Sequence, residues 1–131
     1  MLFRSEGGCA ESMRRAMLSS GGRPPDVVIA HGEGGIDSDR FEASALGLIA
    51  PRYITSIQPV TGHTMSGCGA LNLAAACLVV ANQRVPGIRS LESPEMALPF
   101  AMSDVWAPVQ SVLVNAIEPD QAAASALVAR L

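Results

Sequence analysis

The chain has 131 residues and a formal net charge of −3, and its nine basic residues are all arginine. This length fits one domain with a hydrophobic core, and the acidic balance without basic clusters argues against a nucleic-acid partner. Cys9, Cys68 and Cys77 have neither metal-ligand spacing nor the even number of a disulfide framework, so we expect reduced packing residues.

The sequence carries no sign of targeting or of division into parts. Leu2 and Phe3 are followed at once by Arg4, which does not make the apolar region of a signal peptide. No repeat, low-complexity segment or linker splits the chain. We therefore expect one domain over residues 1–131, located in the cytoplasm and without a membrane partner.

The first predicted elements are a surface helix and a buried strand. Apolar side chains share one face of the helix, namely Ala10, Met13, Ala16 and Met17. Residues 21–25 (GGRPP) end it, and the run 26–30 (DVVIA) is typical of a parallel strand buried on both faces. His31 follows this strand directly. Because ligands bind at the carboxyl ends of strands in open α/β sheets, His31 is a candidate site residue.

A second helix and a second strand are predicted next. Asp39 and Glu42 have the spacing of a capping box for a helix from residue 40 to about residue 46. Residues 53–56 (YITS) have the pattern of a strand, which leads into a glycine-rich loop that carries His63.

The longest apolar stretch is residues 66–82, in which the residues other than apolar ones and glycine are Ser66, Asn72 and Asn82. A helix here is apolar on every side, so we expect it to be buried all round in a layered soluble protein. It is too short to be assigned as a membrane span. His63 lies just before its N-terminal end, where unpaired N–H groups and the helix dipole favour negative charge.

The remaining elements are less sharply marked. Pro86 ends the apolar helix, and residues 87–94 form a polar connection. A third strand is predicted near residues 98–102 and a stronger one over residues 109–117. The tail, residues 122–131, is ambiguous, because its alanines favour a helix whereas a place at the end of a sheet favours a strand.

Taken together, these motifs resemble the C-terminal half of a β-ketoacyl synthase of the thiolase fold. The matching segments are residues 26–35, 39, 42, 55–56, 62–63, 84–86 and 114–116. The resemblance implies an α/β, thiolase-like half-domain with a mixed five-stranded sheet and a buried apolar helix on one face. In the family two such halves lie side by side, and the N-terminal half, which supplies the nucleophilic cysteine, is not in this chain.

The same resemblance implies the chemistry of the two histidines. In the family their N–H groups hold the carbonyl of a malonyl thioester while carbon dioxide leaves, and they stabilise the enolate that results; the matching positions are His31 and His63. The substrates are carried on the phosphopantetheine of acyl carrier protein, so no other cofactor is expected. The expected partners are a ketosynthase N-terminal-half chain or a second copy of this chain, and acyl carrier protein.

The expected substrate-binding positions are Gly32, Glu33, Gly35, Gln58 and Asn72, and the chain departs from the family pattern at all of them except Gly32. Two threonines that contact pantetheine in the family correspond to Glu33 and Gly35, and a lysine–glutamate pair corresponds to Gln58 and Asn72. We hypothesise that these two amides contact each other, because a pair of amides avoids a stranded charge. The glycine-rich gating loop is replaced by residues 117–123 (IEPDQAA), which predicts that acyl gating is lost or altered.

Two other kinds of site are disfavoured. Cys68 lies at a helix N-terminus, where a thiolate is stabilised, but a small packing residue at a close helix crossing is the favoured interpretation. A zinc site on the two histidines would need a third ligand, and the acidic residues near His31 have a capping explanation. The sequence therefore predicts no metal site.

Three functions follow from the sequence. The favoured one is the C-terminal half of a ketosynthase-like acyltransferase for fatty-acid or polyketide synthesis. The first alternative is a non-catalytic partner like the family's chain-length-factor subunits. The second alternative is a small α/β binding module without thioester chemistry, which a stable monomer in solution would favour.

Overall fold

A computed structural model describes residues 6–118 and 123–130 of the chain. The helices are α1 (Glu6–Met17), α2 (Ile36–Ile49), α3 (Gln58–Thr61) and α4 (Cys68–Asn82). The strands are β1 (Val27–Ile29), β2 (Tyr53–Thr55), β3 (Arg84–Val85), β4 (Val105–Trp106), β5 (Ser111–Ile117) and β6 (Ala123–Ala129). Two 3₁₀ turns, Leu18–Ser20 and Met65–Gly67, follow α1 and precede α4.

The main sheet has the strand order β2-β1-β5-β6. β1 runs parallel to β2 and β5, and β6 runs antiparallel to β5, so the predicted mixed sheet is confirmed. The ambiguous tail is therefore a strand: β6 pairs with β5 along its whole length, from Ala123 opposite Ile117 to Ala129 opposite Ser111. This pairing overrides the helix propensity of the alanines. β3 and β4 form a separate antiparallel ladder.

The sheet has four strands in the described part of the chain, where five were predicted. The predicted third strand makes a single bridge, from Phe100 to Ile54 at the outer edge of β2. The carbonyl of Pro99 accepts the Ile54 N–H at 2.9 Å, and the Ala101 N–H donates back to Ile54 at 2.8 Å. Because Pro99 has no N–H to donate, the ladder does not extend into a fifth strand.

The sheet separates two hydrophobic clusters. Val28 of β1 faces a cluster formed mainly with α1 and α2, to which the predicted helix face of α1 contributes Ala10, Met13 and Met17. Val27 and Ile29 face the other way, towards Ala76 and Val79 of α4. This alternation is the two-residue period of a strand buried on both faces. The result is three layers, with α1 and α2 on one side and α4 on the other.

Within this chain α4 is not buried all round. Its inner side, which includes Asn72 and Ala76, packs on the sheet, but Leu71 and Leu78 on its outer side are 40% and 62% exposed. By length and composition alone, Met65–Asn82 is apolar enough to cross a membrane. Core helices of layered proteins have the same composition, so composition does not distinguish them from membrane spans. The exposed outer side of α4 says more, because it shows which face of the helix is uncovered within the described residues.

Candidate functional site

His31 lies at the carboxyl end of β1 and is 3% exposed. The preceding residue continues the sheet, since the Ala30 N–H donates to the Thr55 carbonyl at 2.8 Å. On one side of the ring, Nδ1 is 3.4 Å from Nε2 of Gln58. On the other side, Nε2 is buried and has no hydrogen-bond partner within residues 6–118 and 123–130. A buried polar atom without a hydrogen-bond partner is unusual in proteins, so Nε2 is the ring nitrogen that is available to bind a ligand.

His63 follows α3 and faces His31 edge to face. The ring centroids are 5.5 Å apart and the ring planes are 87° to each other. The backbone turns at Gly62, which has a φ of +71°. Nδ1 of His63 accepts the N–H of Met65 at 3.2 Å, so Nε2 is the ring nitrogen that this hydrogen bond does not occupy. The two histidines predicted from the sequence therefore share one site.

Glu33 lies between the two histidines. Its Oε2 is 3.6 Å from Nε2 of His31 and 4.0 Å from Nε2 of His63. One ligand atom from each of the three side chains lies within 4.8 Å of the other two. The prediction that no third ligand is close to the histidines is thus wrong: Glu33 occupies that place, because the tight turn after β1 brings it back over the ring of His31.

Glu42 anchors the turn that carries His31. Oε1 accepts the His31 N–H at 2.8 Å and Oε2 accepts the Gly32 N–H at 2.9 Å. Nδ2 of Asn115 also donates to Oε1, at 2.7 Å. Burial raises the pKa of Glu42, although these three hydrogen bonds act in the opposite direction. The carboxylate therefore fixes the backbone of the site from the interior.

The capping box predicted from Asp39 and Glu42 is therefore wrong. α2 begins at Ile36, with Gly35 as its N-cap, so Glu42 lies a full turn and more inside the helix and points inward. Asp39 accepts the Gly34 N–H at 3.3 Å, and burial raises the pKa of its carboxyl. Both acids bind backbone N–H groups of the loop before the helix, not those of the helix itself.

The roles of Glu42 and Asn115 were not predicted. Asn115 is the one polar side chain between Val112 and Ile117 of an otherwise apolar strand, and that isolation was the available signal. Its Oδ1 accepts the hydroxyl of Ser125 at 2.9 Å, and Ser12 donates to Ser125 in turn at 3.1 Å. A buried polar network thus links the outer helix layer to the histidine turn.

The two glycines predicted to bind substrate have different surroundings. Gly32 has a φ of +54°, and a Cβ there would lie 2.7 Å from Oγ of Ser56, so a glycine is required. Gly35 is the N-cap of α2, and a Cβ there would lie 2.6 Å from Oγ of Ser38 and 3.4 Å from Oε1 of Glu33. Gly32 therefore lines the cleft of the site, whereas Gly35 borders the site through Glu33.

The hypothesised contact between Gln58 and Asn72 is wrong. Nε2 of Gln58 reaches Sγ of Cys68 at 3.7 Å, one helical turn before Asn72. Nδ2 of Asn72 instead donates to the backbone carbonyl of Asn115 at 3.4 Å, which ties α4 to β5. Gln58 is therefore a neighbour of His31, and Asn72 is a structural residue outside the histidine site. Cys68 is 4% exposed, as a packing residue would be.

A cleft of about 630 Å³ opens beside the histidine site. Glu33, His63 and Gln58 line one end, and it continues between α2 and residues 88–91 and 93–96 to an apolar floor that includes Leu46 and Phe100. A volume of this size accepts a small-molecule ligand or a linear thioester arm. The residues predicted to replace the gating loop lie largely outside the described part of the chain, since positions 119–122 fall in the gap between β5 and β6.

A protein-family model described as "Beta-ketoacyl synthase, C-terminal domain" matches residues 2–92. A highly reducing polyketide synthase of Purpureocillium lilacinum is 32% identical over 88 residues, which are 65% of this chain and 4% of that protein. Polyketide synthase PksM of Bacillus subtilis is 31% identical over 90 residues, which are 61% of this chain and 2% of that protein. The chain therefore spans a small part of the length of these relatives.

Solved structures match almost the whole chain. The ishigamide ketosynthase/chain length factor gives a TM-score of 0.85 at 22% identity, covering 99% of this chain and 34% of that one. A ketosynthase from module 1 of the bacillaene synthase of Bacillus amyloliquefaciens FZB42 gives 0.85 at 17% identity, covering 97% and 28%. At these identities the likeness shows the fold, which is the thiolase-like fold predicted from the sequence.

Proposed function

The chain belongs to the β-ketoacyl synthase family, in its C-terminal domain, and from this premise we propose that His31 and His63 form half of a ketosynthase-type active site that stabilises an anionic thioester intermediate. The proposal rests on one observation. The Nε2 atoms of both rings lie near the same oxygen atom. Oε2 of Glu33 is 3.6 Å from Nε2 of His31 and 4.0 Å from Nε2 of His63.

Hydrogen bonds at the far side of each ring support this role. Nδ1 of His63 accepts a backbone N–H from Met65, and Nδ1 of His31 lies 3.4 Å from the Gln58 amide nitrogen. A neutral imidazole that accepts at Nδ1 carries its proton on Nε2. Both rings then present an N–H to the same place, which is the arrangement of an oxyanion hole.

The reaction that suits this arrangement is the decarboxylation of a malonyl thioester. The bond between the α-carbon and the carboxylate breaks, carbon dioxide leaves, and the electron pair moves onto the α-carbon and the thioester oxygen. Donors fixed in a site with little water stabilise that oxygen as its charge develops, each by roughly 10²- to 10³-fold in rate. The α-carbon of the enolate would then attack an acyl group that a partner's cysteine holds as a thioester. The new carbon–carbon bond forms as the carbon–sulfur bond breaks, and the cysteine leaves as a thiolate; this is the condensation of fatty-acid or polyketide synthesis.

The partner that we propose is a ketosynthase N-terminal-half chain, seated on the outer side of α4. Leu71 and Leu78 are exposed there, and the exposed small residues Ala70, Ala74 and Ala81 on the same side allow another helix to approach closely. Acyl carrier protein is the second proposed partner. One solved structure of the same fold is a type II acyl-carrier-protein complex with its ketosynthase, which shows such a partner for that protein.

Glu33 favours a second candidate function. Its carboxylate lies where the substrate oxygen would have to bind, and a malonyl carboxylate nearby would be repelled at short range. A chain in which this carboxylate stays in place would act as a non-catalytic partner, like a chain-length factor.

Malonyl-carrier-protein decarboxylation, measured with and without a candidate N-terminal-half chain, tests the proposed function. We expect activity with the partner, a loss of at least tenfold in His31→Ala or His63→Ala, and no change in Glu92→Gln, an exposed acid outside the cleft lining. Activity that survives both histidine substitutions would contradict the proposal. No activity in the native sequence together with activity in Glu33→Gln would support the non-catalytic alternative.

A further inference from the structure

We propose that His31, Glu33 and His63 together bind a divalent transition-metal ion, with Zn²⁺ as the ion that their chemistry suits best. This inference goes beyond the proposed function and competes with it, because an Nε2 atom that binds a metal cannot also donate a proton to an oxyanion. Two imidazoles and one carboxylate are a ligand set that zinc accepts, with a fourth position left for water or another ligand.

The distances are close to those of a metal site. Zinc holds nitrogen and oxygen ligands at about 2.0–2.2 Å, which places neighbouring ligand atoms about 3.4 Å apart in a tetrahedron. Oε2 of Glu33 is 3.6 Å from Nε2 of His31 and 4.0 Å from Nε2 of His63. The three ligand atoms lie within 4.8 Å of one another. The separations must therefore shorten by up to about 1.4 Å to form three bonds, a change that side-chain rotation can supply without a change in the fold.

His31 carries the strongest indication of a ligand. Its Nε2 atom is buried and has no hydrogen-bond partner in the described residues, although it points at the carboxylate of Glu33. Such an atom is costly when it is left without a partner, and a metal ion would satisfy it.

Gln58 suits a metal-bound His31. A histidine that binds metal through Nε2 carries its proton on Nδ1 and usually donates it to an oxygen acceptor. Rotation of the Gln58 amide by half a turn places Oε1 where Nε2 now lies, 3.4 Å from Nδ1 of His31. A lysine at this position could not accept that proton. Glu33 and Gln58, both departures from the pattern of the resembling family, thus act in the same direction.

His63 is the ligand that must rearrange. The Met65 N–H holds Nδ1 as an acceptor, so metal binding through Nε2 requires this 3.2 Å hydrogen bond to open. The loop permits the change, since the His63 side chain is 37% exposed and Met65 is held at a φ of +52°. Opening the bond would release a residue from a backbone conformation that non-glycine residues rarely adopt.

Titration of the purified chain with Co²⁺, the spectroscopic substitute for Zn²⁺, tests the proposal. We expect the intense visible d–d bands of four-coordinate cobalt, without the near-ultraviolet band of a cobalt–thiolate bond, and displacement of the bands by Zn²⁺. Cys77→Ser removes the exposed thiol as a competing ligand and should leave the spectrum unchanged. Glu33→Gln and His63→Gln should each weaken binding at least tenfold, whereas the matched charge change Glu92→Gln should not.

Circular dichroism of each variant confirms that a lost spectrum is not a lost fold. Equal cobalt spectra in the native chain and in Glu33→Gln would overturn the proposal, as would a thiolate band that disappears in Cys77→Ser or no d–d bands in the folded native chain. These outcomes are independent of decarboxylation. A chain that decarboxylates and binds no cobalt retains the proposed function alone, and a chain that binds cobalt without decarboxylating retains the metal site alone.

Discussion

The carboxylate of Glu42 holds the backbone of His31: its Oε1 atom accepts the His31 N–H at 2.8 Å from inside helix α2. The adjacent Gly32 N–H binds the other carboxylate oxygen at 2.9 Å. The position of the candidate site thus depends on the buried carboxyl group of Glu42, which binds the backbone of the site and not the two histidine rings.

Replacement of Glu42 by glutamine should destabilise the fold. Three N–H donors converge on its two oxygens, and a glutamine offers one oxygen and directs an N–H₂ group against a donor. We expect a loss of about 1–3 kcal/mol in the free energy of unfolding, measured by urea denaturation. The same change at the exposed Glu95, which pairs with Arg40 at the surface, should have little effect. Equal effects at the two positions would contradict the anchoring role.

The stability of the fold should also depend on pH through Glu42. Burial raises its pKa in the folded state, so above the unfolded pKa, about 4.3, the folded chain binds more protons at this group than the unfolded chain. Its contribution to stability is therefore complete below that pH and is lost as the pH rises through the raised folded pKa.

Urea denaturation across this pH range, in the native chain and in Glu42→Gln, isolates the contribution, because all other groups are common to both. The difference between the two chains should narrow as the pH rises. A difference that stays constant, or that widens with pH, would show that the pKa of Glu42 is not raised.

Gly32→Ala should be more harmful than a glycine-to-alanine change elsewhere. The left-handed backbone at Gly32 and the contact of a new Cβ with Ser56 at 2.7 Å both oppose it, and we expect a loss of about 1–3 kcal/mol. Gly69→Ala in the first turn of α4 is the control: a Cβ there meets nothing within 4 Å, so alanine should be neutral or stabilising. Equal destabilisation by the two changes in thermal unfolding would be inconsistent with the turn geometry.

A charge on the outer side of α4 should prevent association without unfolding the chain. Leu78 is 62% exposed, so Leu78→Lys removes no core contact, yet it places a charge in the surface proposed to meet a partner half. Leu18→Lys, at a leucine that is 71% exposed after α1, is the matched control. Sedimentation with the candidate partner should show loss of the complex in the first variant and its retention in the second. Loss in neither variant, or in both, would place the interface elsewhere.

The fold could be predicted from the sequence where a pattern has one physical cause. β1, β2 and β5 follow from apolar β-branched runs, and α1 follows from its amphipathic spacing. The missing fifth strand depends on the absent N–H of Pro99, which is visible in the sequence and was given too little weight in the prediction. The start of α2 depends on which groups Asp39 and Glu42 meet, and those tertiary contacts are not contained in a local pattern.

The site could be predicted in part for the same reason. His31 and Glu33 follow β1, and His63 follows β2 and α3, so neighbouring parallel strands bring the three together. The two histidines were expected to share a site, whereas Glu33 as a third ligand was not expected. Gln58 and Asn72 were paired by analogy with an ion pair, but Cys68 comes between them, one helical turn before Asn72. Asn115 lies in an apolar strand, and the sequence does not indicate a partner for it. The tertiary structure brings it to Glu42 of α2, with which it forms a hydrogen bond.

The claim on which the account depends most is that both imidazoles direct an Nε2–H towards one oxygen position. Long-range ¹H–¹⁵N correlation of the ring nitrogens in the metal-free chain, which carries just these two histidines, measures it directly. We expect the neutral form of both rings to carry the proton on Nε2, with Nδ1 as the acceptor. When Glu33 and the rings bind a metal ion, the proton should instead be on Nδ1. Neutral rings that carry the proton on Nδ1 in the metal-free chain would contradict the account.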